Sequence, residues 1–187
     1  MKKDRQSPAW LLLLAQLPSS PSSARVALWR RLRAIGATVM VNSAWVLPHD
    51  AAHAEFFQKL VETVHKQGGT AFVLAVTPMS EEVNEVITGR FHADRSREYD
   101  EFAERCTALL EEIGKEMRAG KFIFAELEEG EQDLEKLTRW LAKIQARDFF
   151  PDERWPQADE MLRRCRDALS ELSRQVYAAE GMSDADE

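Results

Sequence analysis

The run Trp10-Leu-Leu-Leu-Leu-Ala-Gln-Leu17, closed by Pro18, constrains this chain more than any other stretch. It is too short to cross a bilayer, which takes roughly 20 apolar residues as a helix. A continuous apolar run bounded by turn residues reads as a strand covered on both faces, although periodicity alone also admits a buried helical turn. Taken as a central strand, it requires two covering layers, and the remaining segments must supply them.

After the turn Pro18-Ser-Ser-Pro-Ser-Ser23, Ser22 or Ser23 can cap a helix running to about Ala34, with Gly36 as terminator. Ala24, Leu28, Leu32 and Ile35 share the face expected on the sheet, while Val26, Trp29, Arg30 and Arg33 point elsewhere. Thr38–Val41 and Ala44–Leu47 read as strands joined by Asn42-Ser43, and Pro48 ends the second. Asp50 caps a helix to about Lys66, stopped by Gly68-Gly69, and Thr70–Val76 is a fourth strand. The order β-α-β-β-α-β is the split pattern of a ferredoxin-like fold, in which helices cover one sheet face. The apolar first and fourth strands predict cover on the other face too, from the C-terminal region or another subunit.

Beyond Pro78 the composition turns to charge-rich helix. Tyr99, Phe102, Cys106, Leu109 or Leu110, Ile113 and Met117 recur at helical spacing up to Gly120. Lys121–Leu127 admits either an extra strand or the lead into a helix over about 131–147, and a last helix is expected from about Gln157 to Ala179. The expected class is thus α+β. Its parts are a ferredoxin-like βαββαβ domain over 8–78, a linker over 79–93, an α-helical region over 94–180 and a disordered acidic tail over 181–187.

The chain has 187 residues, 44% of them hydrophobic and 30% charged, which suffices for one core, or one core with a helical appendage. Its net charge of -7 argues against a protein that coats nucleic acid generally, but the charge is unevenly placed. Residues 1–49 hold seven basic residues against Asp4 alone, a balance of +6; the remainder holds 18 basic and 31 acidic residues, or -13. Cys106 and Cys165 fall inside apolar stripes, so no disulfide framework is implied and a reducing cytosol fits. Lys2, Lys3 and Arg5 before the leucines outline a signal peptide. Gln16 and Pro18 interrupt it and no small-x-small cleavage site follows, so a cytoplasmic, non-membrane protein is expected.

The best functional candidates are on the first helix. Arg30 and Arg33 with Trp29 can grip a phosphate backbone, with Arg25 and Arg31 flanking. The competing reading is a solvated helix face with Trp29 covered, since arginine is a good surface helix former. His49, Asp50 and His53 have a spacing seen in metal sites, but no third ligand lies close by, and a capped helix start explains them. Glu126, Glu128, Glu129, Glu131, Asp133 and Glu135, like Glu81, Glu82 and Glu85, read as solvated faces favoured by the helix dipole. No phosphate-binding glycine loop, Ser/His/Asp signature or CxxC motif is present. No enzyme activity, metal or cofactor is expected.

Trp10-Leu-Leu-Leu-Leu, Leu17-Pro-Ser-Ser-Pro-Ser-Ser23, Arg25, Trp29-Arg-Arg-Leu-Arg33 and Gly36-Ala37 resemble the N-terminal domain of the ChrB family of chromate-resistance regulators. Asn42–Pro48, Glu98-Tyr99 with Phe102, Lys121–Glu129 and Arg147-Asp-Phe-Phe150 continue the likeness over about residues 9–180. The resemblance implies control of chromate-resistance operons and chromate sensing, and its βαββαβ part is similar to the central domain of PaaX-type repressors. It raises the DNA-binding reading of the first helix, in which Arg25, Arg30, Arg31 and Arg33 match the family's basic stretch beside Trp29. It favours a transcription regulator with chromate or another oxyanion as effector; a homodimer is expected separately, because it would double the helix face and could cover the open side of the sheet. Full-length members carry a second, C-terminal domain, whereas this chain stops in an acidic tail, so a stand-alone homologue that keeps DNA or partner binding is expected. Two alternatives are a protein-interaction module anchored by Trp29 and Val26, and an accessory protein that binds or reduces chromate.

Overall fold

The computed structural model describes residues 10–20 and 22–181. Residues 8 and 9 and the acidic tail beyond Gly181 therefore lie outside the described residues. The elements are β1 (Trp10–Gln16), α1 (Ser22–Ile35), β2 (Thr38–Val41), β3 (Ala44–Pro48), α2 (Ala51–Lys66), β4 (Thr70–Val76), α3 (Glu81–Ala119), α4 (Phe124–Gln145) and α5 (Arg154–Ala179). They form two compact units. One runs to Asp94 and includes Arg147–Phe150; the other comprises Arg95–Ala146 and the residues from Pro151 onward.

In the first unit the four strands make an antiparallel sheet in the order β2-β3-β1-β4. The apolar run is its inner strand: Leu12 pairs with Val46 on one side and Leu74 on the other. Alternation then sorts its side chains between the faces. Leu11, Leu13 and Ala15 pack with Leu32 of α1 and Phe57, Leu60 and Val64 of α2. The start of α2 is fixed by Asp50, whose carboxylate accepts the His53 amide proton at 2.7 Å. The end of α1 is fixed by Gly36 at φ 88°, where an added Cβ would also lie 2.6 Å from Arg147 Cβ. Both backbone and space demand glycine there.

The opposite sheet face is partly covered, by Phe149 and Phe150 from the C-terminal region, as expected, and by residues 81–91, which fall in the segment expected to be a linker. Trp10 and Val46 pack against Ile87 and Phe91 of α3, with Phe149 and Phe150 alongside. Trp10 stacks on Phe91 at 5.6 Å and donates its indole N–H to Asn84 Oδ1 at 2.9 Å. Residues 79–93 are thus not a linker. From Glu81 they are continuous helix, and Asn84, Ile87 and Phe91 at three- and four-residue spacing form its inward face. The expected linker rested on the exposed Gly89 and Arg90, which break no helix.

The second unit is helical, with Phe102, Cys106, Ile144, Cys165, Leu172 and Val176 in its core. Lys121–Leu127 is not a strand, because α4 begins at Phe124. Likewise α5 begins at Arg154, ahead of the expected Gln157, since Pro156 sits in a first turn whose amides lack helical partners in any case. Gly130 lets α4 approach α5 closely: a Cβ there would meet Leu169 Cδ1 at 2.7 Å.

Candidate nucleic-acid interface

Helix α1 buries Leu32 and partly buries Leu28 and Ile35, as the helical wheel requires. The remaining surface carries the candidates. Arg25, Trp29, Arg30 and Arg31 are exposed, Trp29 to 53%. Their neighbours decide how much positive charge survives. Arg25 donates to the carbonyls of Pro18 at 3.1 Å and Ser19 at 2.5 Å. Arg31 reaches the Thr63 hydroxyl at 3.5 Å and lies 5.9 Å from the Phe56 ring centroid. Carbonyl, hydroxyl and ring are neutral partners that orient a guanidinium without cancelling it. Arg30 has no hydrogen bond or ion pair among the described residues.

Arg33 is different. Its Nη1 donates to Asp94 Oδ2 at 3.0 Å, and the same oxygen accepts the Thr38 hydroxyl at 2.8 Å. Its charge is matched inside the unit, which sets it apart from the other three arginines. Asp94 lies 61 residues along the chain, and no local pattern announces the pair.

Trp29 also walls an open cleft of about 220 Å³, shared with Gln16, Leu17, Arg25, Ser43 and Trp45. Gln16 and Ser43 were not singled out as candidates in the sequence. Their one signal is position, at the exposed end of a strand and in the hairpin turn. Ser43 takes φ 67° there, as a tight turn requires.

The other candidates resolve into structural roles. His53 is buried, and its Nδ1 lies 2.9 Å from the Pro48 carbonyl and 2.8 Å from Asp50 Oδ2. Two acceptors facing one nitrogen place the proton on Nδ1. The ring also stands edge-on to Phe149 at 5.0 Å, so it ties the start of α2 to the end of β3. His49 is exposed. No group of three His, Cys, Asp or Glu able to hold a metal occurs among the described residues. Of the acidic run, Asp133 pairs with Lys136 at 2.7 Å and Glu135 with Arg139 at 3.5 Å, as on a solvated helix face.

Both cysteines are wholly buried, with Cys165 Sγ directed at the Cys106 carbonyl at 3.6 Å. The hydrogen bond to Cys165, and then burial, push the Cys106 thiol far above its ordinary range. Neither thiol should react with an aromatic disulfide reagent in the native protein, and both should titrate on denaturation. Rapid native labelling of either would contradict this packing.

The first unit is an α+β domain in which α1, carrying Arg25, Arg30, Arg31 and Arg33, packs on the four-stranded sheet. The family described as Protein ChrB, N-terminal, matches residues 25–183, so the match starts at the first α1 arginine, and the chain belongs to this family. Protein ChrB of Cupriavidus metallidurans (strain CH34) is 28% identical over 153 residues, covering 81% of this chain and 43% of that protein. The chain thus spans less than half the length of that relative. No solved structure matches. No helix among the described residues is long and apolar enough to cross a membrane.

Proposed function

We propose that the chain is a cytoplasmic, non-enzymatic transcription regulator of a chromate-resistance-type system that binds operator DNA through the outward face of α1. One observation carries the reading: in a chain of net charge -7, Arg25, Arg30 and Arg31 surround an exposed Trp29, and none has an acidic partner among the described residues. Such a face attracts a polyanion, with the indole available to stack or pack on sugar. Strand order β2-β3-β1-β4, with one helix in each half, supports a ferredoxin-like assignment of the sheet unit. A homodimer would present two such helices to a two-fold operator. Chromate or another oxyanion is the effector that family membership implies, and the geometry assigns it no residues.

The test is an electrophoretic shift with DNA from upstream of the gene, across a salt series. Arg30→Ala with Arg31→Ala should weaken binding and flatten the slope of log K against log salt by about two units, near 0.9 per lost phosphate contact. Arg33→Ala should leave that slope nearly unchanged, because Asp94 already matches its charge. No binding at low salt would end the proposal. Exposed Val26, at 44%, beside Trp29 supports a second reading, a protein-docking face, for which partner capture would be weakly salt-dependent.

A further inference from the structure

The helical unit carries a cleft of its own. It opens between α3 and α4 with a volume of about 440 Å³, within the roughly 300–1,000 Å³ usual for small-molecule sites. The floor is apolar: Leu109 and Leu137 are almost wholly buried, and Trp140 is half-buried, edge-on to Phe102 at 5.8 Å. Exposed Ala108 stands midway along the α3 wall, so the cleft is open where a longer side chain would fill it.

The charges around this floor are set at its two ends. Lys136 and Asp133 on α4 match each other at 2.7 Å. That leaves Arg105 and Glu112 on α3, both exposed and neither with a hydrogen bond or ion pair among the described residues. At seven residues' spacing they share one face of the helix, separated by roughly 10 Å along its axis. The cleft is therefore cationic at the Arg105 end and anionic at the Glu112 end, with apolar side chains between.

We propose that this cleft binds a short apolar peptide with free ends, its carboxylate on Arg105 and its ammonium on Glu112. An anion alone leaves Glu112 unanswered and a cation alone leaves Arg105, whereas a zwitterion answers both. The spacing sets the length, since three extended residues span about 10 Å. A guanidinium takes a terminal carboxylate through two parallel hydrogen bonds, which fixes the direction in which the peptide lies. Its apolar side chains then cover the Trp140 ring and the rest of the floor, removing that surface from water. The site is independent of the α1 reading, and the two stand or fall separately.

Isothermal calorimetry on the full chain with trileucine as the probe tests it. Wild type should give saturable heat with one site per chain. Amidating the peptide carboxylate should weaken binding about tenfold, as should Arg105→Ala, and the Arg105→Ala protein should no longer distinguish the amide from the free acid. At the other end, N-acetylation of the peptide and Glu112→Gln should be related in the same way. Ala108→Phe leaves both charges in place and should abolish binding by filling the cleft. All three positions are exposed, and circular dichroism checks that the variants fold. Should Ala108→Phe not fold, the two charge variants decide alone. No heat from wild type, blocked peptides that bind as tightly as trileucine, an Arg105→Ala protein that still prefers the free acid, or a folded Ala108→Phe protein that binds as wild type does would overturn the proposal.

Discussion

Replacing Trp10 with alanine should cost about 3–5 kcal/mol of folding free energy from the lost packing and the cavity left behind. The side chain is wholly buried, stacked on Phe91 and 5.7 Å from the Phe150 ring. The change also strands Asn84, buried on α3, whose Oδ1 takes the indole proton. An unsatisfied buried acceptor adds about 1–3 kcal/mol. Native stability is only about 5–15 kcal/mol, so the first unit should be close to unfolding at ambient temperature. Urea denaturation followed by circular dichroism gives the value, and a loss below about 1 kcal/mol would mean this sheet face is not packed as described. Trp10→Phe should fall between the two, because it keeps the ring and loses the hydrogen bond. Adding Asn84→Leu to Trp10→Phe should recover part of that loss, since removing both partners of a buried hydrogen bond costs less than removing one.

The second large effect is expected at Asp94. Its Oδ2 serves the buried Thr38 hydroxyl and Arg33 together. Asp94→Ala leaves the Thr38 hydroxyl short of an acceptor, at about 1–3 kcal/mol. The Arg33 side chain is 31% exposed, so water takes over much of its pairing and the ionic share is smaller, about 1 kcal/mol. A total near 2–4 kcal/mol is therefore expected in the same denaturation assay. Asp94→Asn should be milder, because an amide oxygen still accepts from Thr38. It also leaves the α1 cation unmatched, so in the DNA salt series its slope should steepen by up to about one unit. An unchanged slope in a folded Asp94→Asn protein would show that Arg33 stays out of reach of DNA whatever its charge balance.

Much of the first unit was legible because its signals are local. The Asn42-Ser43 turn, the Asp50 cap and the Gly36 and Gly68 stops each act within a few residues, and the strands fall where the apolar runs do. The α1 apolar stripe likewise put Arg25, Trp29, Arg30 and Arg31 outside. What stayed hidden depends on distance along the chain. That Asp94 would neutralise Arg33, or that Phe149 and Phe150 would join a sheet made from the first 76 residues, is written in no local period. The segment 79–93 misled for another reason: its inward residues, Asn84, Ile87 and Phe91, include a polar one that belongs inside only because Trp10 supplies a donor.

The return of Phe149 and Phe150 to the sheet unit has a temporal side. Translation delivers residues at about 5–20 per second, so several seconds separate the emergence of Asp94 from that of the two phenylalanines. During that interval a nascent sheet holds Trp10 with half its aromatic shelter missing. The covering of Trp10 is completed only when Phe150 arrives beside Phe91.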